Sequence, residues 1–562
     1  MATRYEILGN HLGYPAGKSA VLVIRLSAAN RQSLSELLEL KLGESDYRIH
    51  LHPQDFETPD GWWPDRFFAR VRIPVPDRAG SHMVLLKNGE KIQAQFDLKA
   101  LSAPYRAEVL PAILEYFFRQ RCSGEVDEFD HNVPFFGDMR GGSRDVHGGW
   151  YDASGDVSKY LSHLSYTNFM APQQIPLVVW ALIAGAGEQE AIKEEALSEA
   201  RHGADFLVRM LDDEGFFYQI VFDRWSKDLA LRNICNYSTQ LGYKNERVQA
   251  SYRQGGGMAI AALARAAALF TTDGKGRTYG AAAQTAYAHL RDHNFSYCDD
   301  FRENIIDDYA ALMATAELYE LTSDSIYLED GLMRCASLLK RQDPEGFFWA
   351  DDGKTRPFFH ASDEGLPMIS LLRAAQVFGG VWDPDFLHQL RSAIRRQLEH
   401  WLRITNATAN PFGYPRQRVK SLSGPVEDRF FFPHENESGY WWQGENARLG
   451  SLCAAVRLAR KDMSFDGETL GQLEGLESDL ENWLLGLNPF DACMIEGFGR
   501  NNPRYEDDFP GIPGGICNGI TSSMENESTP ALCETDDPFH SWRWGEQWIP
   551  HTAWWFYAFA LS

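Results

Sequence analysis

Hydrophobic positions fall into two textures along this chain. Up to about residue 103 they form short runs broken by Gly, Pro and Asp, such as 19–25 and 67–73, which is how strands read. Asn88-Gly89 stands between the apolar runs 83–86 and 92–96 and predicts a type I′ hairpin. A small β-sandwich over 1–103 is the expectation. From 104 onward apolar residues recur every three or four positions. Twelve segments follow that period: 108–121, 173–186, 194–211, 251–269, 277–293, 305–322, 325–342, 366–379, 383–405, 441–461, 473–486 and 548–561. In the sixth, Ile305, Tyr309, Leu312, Ala316 and Tyr319 share one helix face, a stripe that reads as core. Twelve helices of similar length pair into six hairpins, so the predicted fold is mostly α, an α/α toroid over 104–562 whose connecting loops build the working face. Asp212-Asp213-Glu214-Gly215-Phe216-Phe217-Tyr218 echoes Asp343-Pro344-Glu345-Gly346-Phe347-Phe348-Trp349. Either this is a recurring helix-stop turn, or both loops line a common rim.

Composition narrows the partners. A net charge of −24 argues against nucleic acid, because phosphate binding needs a basic face. No run of apolar residues is long enough to span a membrane, and residues 1–10 lack the apolar core of a signal peptide, which predicts a cytoplasmic product. Eight cysteines without a C-x-x-C suggest neither a disulfide framework nor a structural zinc site. The chain also carries 16 Trp, 22 Tyr and 34 Phe, many in Gly- and Asp-rich stretches. Aromatics beside acids in loops suit sugar rings.

Two segments hold candidate chemistry. In Arg140–Asp156, Asp152 and Asp156 lie four apart in a Gly-rich loop beside aromatics. Two neighbouring carboxylates can grip one water, one orienting it while the other takes its proton; the same residues also suit a cap or a tight turn. In 536–548, Glu546 sits among Trp542, Trp544 and Trp548 ahead of the last apolar helix. A carboxyl among indoles is poorly solvated and can act as a general acid near neutral pH, and an acid at that position also suits a helix N-terminus.

Gly148-Gly149-Trp150-Tyr151-Asp152-Ala153-Ser154-Gly155-Asp156 resembles the GGW(Y/H)DAGD signature of glycoside hydrolase family 9, and Glu546 with the helix after it resembles the family's NE motif. Leu8-Gly9-Asn10-His11-Leu12-Gly13-Tyr14-Pro15 is similar to the start of its immunoglobulin-like module. The segments 314–322, 410–414 and 485–489 with 497–499 match further family motifs. The resemblance implies an immunoglobulin-like β-sandwich followed by an (α/α)6 barrel, and hydrolysis of a β-glycosidic bond with inversion. It makes Asp156 the general base, Asp152 a second holder of the water and Glu546 the general acid, with no cofactor and an oligosaccharide as the partner.

The chain departs from the family's usual form. Ser154 lengthens the Asp spacing to four, which looks like a subgroup of exo-β-D-glucosaminidases, and 500–508 replaces a His/Arg run with an acidic one containing Glu506, Asp507 and Asp508. A carboxylate freed from its usual duty could pair with a 2-ammonium group; Asp152 is the candidate, aided by that loop, although Glu506, Asp507 and Asp508 read equally as an ordinary solvated surface run. Tyr151, Tyr440, Trp441, Trp442 and His551 are candidate sugar-binding residues. His147 and Cys122 lie where some members build a metal site, but no complete ligand set is visible, so no metal is predicted. The leading expectation is an exo-acting hydrolase of short β-1,4-linked glucosamine or glucose oligosaccharides. A cellulase-type endoglucanase is the alternative; a polysaccharide lyase and a non-catalytic sugar-binding protein are more remote.

Overall fold

The computed structural model describes residues 4–28, 37–43, 45–271, 274–440, 442–506 and 508–561, with the side chains of residues 440 and 538 excepted. Eight strands come first: β1 Arg4–Leu8, β2 Tyr14–Pro15, β3 Ser19–Ser27, β4 Leu38–Leu42, β5 Arg48–Leu51, β6 Arg66–Pro74, β7 Gly80–Asn88 and β8 Lys91–Leu101. They form a three-stranded sheet in the order β1-β3-β6 and a five-stranded sheet in the order β2-β8-β7-β4-β5. Residues of both sheets meet in one core, with Leu22, Ile24 and Val71 from the first and Leu40, Val84 and Leu98 from the second. β3 reads as an unbroken apolar run because both its faces are covered: Leu22 and Ile24 face that core, whereas Val21 and Val23 join the core of the helical part. The hairpin between β7 and β8 differs from the expected type. Asn88 pairs with Lys91, so the turn residues are Gly89 and Glu90, and only Gly89 has positive φ, at 56°. That is the pattern of a type II′ turn rather than I′.

Among the described residues fourteen helices follow: α1 Arg106–Arg119, α2 Gly124–Phe129, α3 Ile175–Glu188, α4 Lys193–Arg209, α5 Gly257–Leu269, α6 Lys275–Tyr297, α7 Ile305–Thr322, α8 Ser325–Arg341, α9 Leu366–Phe378, α10 Pro384–Thr405, α11 Asn446–Asp462, α12 Gly467–Leu484, α13 Pro538–Gly545 and α14 Ile549–Ala560. All twelve expected segments are helical, and the short α2 and α13 are additional. The segment expected from 441 starts at Asn446, because Gln443–Glu445 is irregular chain on the cleft side.

Packing explains why some helices are apolar on every side. α3 touches α5, α5 touches α7, α7 touches α9, α9 touches α11, α11 touches α14, and α14 returns to α3. These six close a cycle, and each also carries an outer partner: α4 on α3, α6 on α5, α8 on α7, α10 on α9, α12 on α11 and α1 on α14. A central helix flanked on all sides buries its whole circumference. In α7 every residue from Ile305 to Leu318 is buried, so the stripe at Ile305, Tyr309 and Leu312 is one side of a helix without a wet face. The outer α4 buries only one face, through Ala196, Ala200, Phe206 and Leu207.

The two echoing loops are the same turn. Gly215 N–H donates to Asp212 O at 2.9 Å and Gly346 N–H to Asp343 O at 2.9 Å, with φ of 100° and 103° at the two glycines, values open to Gly at little cost. Neither loop lines the main cleft, so the helix-stop reading is the right one.

Candidate active site

Long connections between helices converge on a cavity of about 940 Å³ lined by Asp152, Asp156 and Glu546. The loop that carries the two aspartates owes its path to glycine. Gly148, Gly149 and Gly155 all have φ between 74° and 81°, and a Cβ on Gly155 would lie 2.8 Å from the ring of Phe509. Asp152 N–H donates to Ser158 O at 3.0 Å and closes the loop on itself. Its other edge is laced to the segment holding Glu546: Ser154 N–H donates to Gln547 O at 2.8 Å, Gln547 N–H donates to Ser154 Oγ at 2.9 Å, and Ile549 N–H donates to Asp152 O at 3.1 Å. The extra residue Ser154 is thus a joint between the two halves of the site.

The three carboxyls have different surroundings. Asp152 is buried, its Oδ1 accepts the indole N–H of Trp548 at 2.9 Å, and its Oδ2 lies 3.4 Å from Nδ1 of His163. Burial, together with the charges of Asp156 and Glu546, pushes its carboxyl well above the usual range. Asp156 accepts Ser158 N–H at 2.8 Å. Burial and nearby Asp223 raise it to about 6, against the opposing pull of the Ser158 hydrogen bonds and of Arg232. For Glu546 burial and the charge of Asp156 raise the carboxyl to about 8, opposed by Asn518, whose Nδ2 donates to Oε2 at 3.3 Å.

Under the aspartate loop lies a buried ionic cluster. Lys159 Nζ donates to Val146 O at 2.6 Å and Gly148 O at 2.9 Å, and lies 2.6 Å from Asp130 Oδ2. Arg232 grips both oxygens of Asp130, at 2.6 and 2.8 Å, and donates to Val157 O at 2.8 Å. Both ends of the loop are therefore held by cations that share one carboxylate. Ser158 Oγ donates to the buried Asp223 at 2.7 Å, which brings a further negative charge near Asp156.

Of the expected sugar-binding residues, Trp442 lines the cavity, between a stacked His434 ring 3.8 Å away and the Arg543 guanidinium 3.9 Å away. Trp441 lies outside the described residues, and for Tyr440 only the backbone is described, paired with Glu435. Tyr151 is not against the cavity: its hydroxyl donates to Ser123 O at 3.2 Å and accepts Ser123 N–H at 3.1 Å. His551 is fully buried, and Nε2–H donates to Asn518 Oδ1 at 2.7 Å. Burial lowers its imidazole to about 3, which keeps it neutral, and Asn518 stands between it and Glu546. Of the acidic run, Glu506 lines a separate cavity of about 210 Å³, Asp508 is exposed, and Asp507 lies outside the described residues.

Sequence reasoning missed His163, Tyr166, Trp225, Tyr237, Tyr505 and Phe509, which line the cavity from separate connections. Gly155 leaves no room for a side chain beside the Phe509 ring. Of a second group, His131, Asp145 and His147, whose ligand atoms lie within 4.8 Å of one another, only His147 was singled out in the sequence. Two imidazoles and a carboxylate suit a cation such as zinc. Cys122 is not part of it, its Sγ lying 3.6 Å from Asp130 Oδ2.

The family model described as Glycosyl hydrolase family 9 matches residues 107–506, a span that contains Asp152 and Asp156 and ends before Glu546. No curated protein sequence matches the chain. Among solved structures, a metagenome-derived glycoside hydrolase family 9 endoglucanase aligns with a TM-score of 0.68 at 16% identity, covering 99% of this chain and 98% of that one. A Bacteroides ovatus GH9 structure aligns at 0.65 and 15% identity, over 99% and 98%. The cellulase Cel9M of C. cellulolyticum in complex with cellobiose aligns at 0.52 and 16% identity, over 82% and 98%. At such identities the likeness is one of fold.

Proposed function

The chain belongs to glycosyl hydrolase family 9, and from that premise we propose that it hydrolyses β-1,4 bonds of short oligosaccharides with inversion at the anomeric carbon. Asp156 takes a proton from water, the water oxygen bonds to the anomeric carbon as the bond to the leaving oxygen breaks, and Glu546 gives that oxygen its proton. Asp152 orients the water from the far side of Asp156. The observation that carries this reading is the meeting of Asp152, Asp156 and Glu546 in one cavity, where burial raises Asp156 to about 6 and Glu546 to about 8. Between those values the first is ionised and the second protonated, as a base and an acid must be.

The architecture joins this proposal. We read the closed cycle of six helices with its outer partners as an (α/α)6 barrel over 104–562, and the two-sheet portion, 1–103, as an immunoglobulin-like module.

The finer reading is exo action on glucosamine oligomers. In support of exo action, Phe509 packs against Gly155 on one side and under Lys227 Nζ, 3.9 Å from its ring, on the other, so Tyr505 and Phe509 wall one edge of the cleft. In support of an amino sugar, three carboxyls with raised pKa values share the cavity. A 2-ammonium group beside Asp152 relieves their crowding in a way a hydroxyl cannot. Endo action on glucans is a second reading, favoured by the continuation of the cleft past Tyr166 and Tyr237 into a second groove. Proton NMR of digests of glucosamine and cello-oligosaccharides tests both. Release of single α-glucosamine units supports the first, rapid internal cleavage of the cello series supports the second, and β-configured primary products refute the inverting mechanism.

A further inference from the structure

His163 stands between Asp152 and the open space of the cleft. The chain reaches it from the strand Lys159–Tyr160, which pairs with Ile220 and Val221. Leu161 N–H then donates to Gln219 O at 3.0 Å, and Gln174 N–H donates to Leu161 O at 3.1 Å, so the backbone is pinned just before the histidine. The imidazole lies on the Tyr160 ring, 4.6 Å between centroids and 28° between planes, and meets Trp548 edge-on at 6.0 Å. Those contacts fix its plane. Nδ1 stands 3.4 Å from Asp152 Oδ2, and the ring lines the cavity with 18% of its side chain exposed. Among the described residues no group of the chain bonds Nε2.

Asp152 faces the cleft without a counterion. Its Oδ1 accepts the Trp548 indole N–H, and among the described residues neither oxygen pairs with Lys or Arg. The Lys and Arg that line the cavity are engaged elsewhere: Lys227 lies over Phe509, and Arg543 lies over Trp442 and donates to Trp442 O at 2.6 Å. Burial lowers the His163 imidazole to about 3, so it too brings Asp152 no positive charge. A neutral imidazole has one N–H and one lone pair, and the partner of one nitrogen sets the state of the other. With an ionised carboxylate beside Nδ1, the proton belongs on Nδ1 and Nε2 presents its lone pair. Asp152 and His163 then offer a ligand two acceptors and no donor. A hydroxyl has one hydrogen and satisfies one of them. An ammonium group has three hydrogens, no lone pair and the opposite charge.

We propose that His163 is a specificity-determining residue, whose Nε2 accepts an N–H of the 2-ammonium group that Asp152 holds. This rests on the amino-sugar reading above. C2 is the position concerned because Asp152, which orients the water at the anomeric carbon, has the substituent of the neighbouring carbon within reach. His163 thereby separates glucosamine from glucose and from N-acetylglucosamine, whose amide carries one N–H and no charge.

Three substitutions divide the parts of the ring. His163→Phe keeps the stack on Tyr160 and removes both nitrogens. His163→Asn keeps a polar group toward Asp152 but is too short to replace Nε2, and it carries the comparison if the Phe variant fails to fold. His163→Gln carries a polar group out to where Nε2 stands. Each is measured for kcat and KM on glucosamine and glucose dimers, with thermal midpoints alongside, and calorimetry follows binding of both sugars to Glu546→Gln alone and combined with each substitution. The ratio of kcat/KM for glucosamine over glucose is expected to fall about tenfold in the Phe and Asn variants, equivalent to about 1.4 kcal/mol, through KM rather than kcat. His163→Gln is expected to retain most of that ratio. An unaltered chain that prefers glucosamine, and variants that keep the same preference, overturn the role of His163 and leave the hydrolase and amino-sugar readings standing. A preference of the unaltered chain for the glucose dimer overturns the amino-sugar reading and His163 with it. Glucosamine binding that depends on His163, in a chain that cleaves neither dimer, leaves His163 standing and overturns the hydrolase reading.

Discussion

Asp156 and Glu546 face one cavity from walls of different construction. Behind Asp156 the chain is underlaid by charge, with Lys159 and Arg232 on a shared Asp130 and Asp223 one hydroxyl away. Behind Glu546 stand neutral groups: the Asn518 amide, then the His551 imidazole that fixes which way the amide points. Hydrogen bonds from Ser158, and after them the Arg232 charge, favour the ionised Asp156, whereas around Glu546 only the Asn518 hydrogen bond opposes burial and the charge of Asp156. The same functional group thereby titrates near 6 on one side and near 8 on the other. On the proposed mechanism, what surrounds each carboxyl decides which is base and which is acid.

The strongest way to break this pairing is to remove the acid. Glu546→Gln is expected to slow cleavage of oligosaccharides by about 10²–10⁴-fold, while an aryl glycoside whose leaving group needs no proton loses far less. Steady-state rates on the two substrates check this. Next comes the wall behind the base. Arg232→Met takes away a charge that lowers the Asp156 carboxyl, so Asp156 rises further above its ordinary value and the acid limb of activity moves to higher pH. One pKa unit of movement costs about tenfold in rate on that limb, so the loss at pH 5 exceeds the loss at pH 7.5. The opposite order, or an equal loss at both, would mean that Arg232 only holds the fold.

Stability gives a third handle. The folded-state pKa of Glu546 lies above its ordinary value, so its ionisation costs stability progressively as pH rises from about 4.5 to about 8 and in full above that. Glu546→Gln is therefore expected to raise the thermal midpoint at pH 9 and to change it little at pH 4.5. A uniform shift at both pH values would contradict a strained carboxyl. The smallest effect belongs to Asn518→Ala, which removes the donor that lowers Glu546 and moves the alkaline limb upward, a change of a few-fold at pH 9.

The helices were legible because 3.6-residue periodicity is local, and so was the aspartate loop, whose glycines and acids lie within nine residues of one another. What connects them was not. Asn518 reaches Glu546 and His551 only because the chain between α12 and α14 doubles back, and Ser154 meets Gln547 across 393 positions. Tyr151 misleads because consecutive side chains in this loop go different ways: Asp152 meets Trp548, whereas Tyr151 turns to Ser123. His551 misleads because one turn into α14 a side chain points back under the loop rather than into the cleft. The acidic run 506–508 looked like part of the sugar site by composition, yet Glu506 borders a different cavity.

The central claim, a base near 6 and an acid near 8 across one cleft, is met most directly by the pH dependence of kcat/KM, measured for the unaltered chain on an oligosaccharide and for Glu546→Gln on the activated aryl glycoside. The account predicts a bell with limbs near 6 and near 8 for the first, and loss of only the alkaline limb for the second. An alkaline limb that survives in Glu546→Gln would contradict it, because some other group would then be the acid.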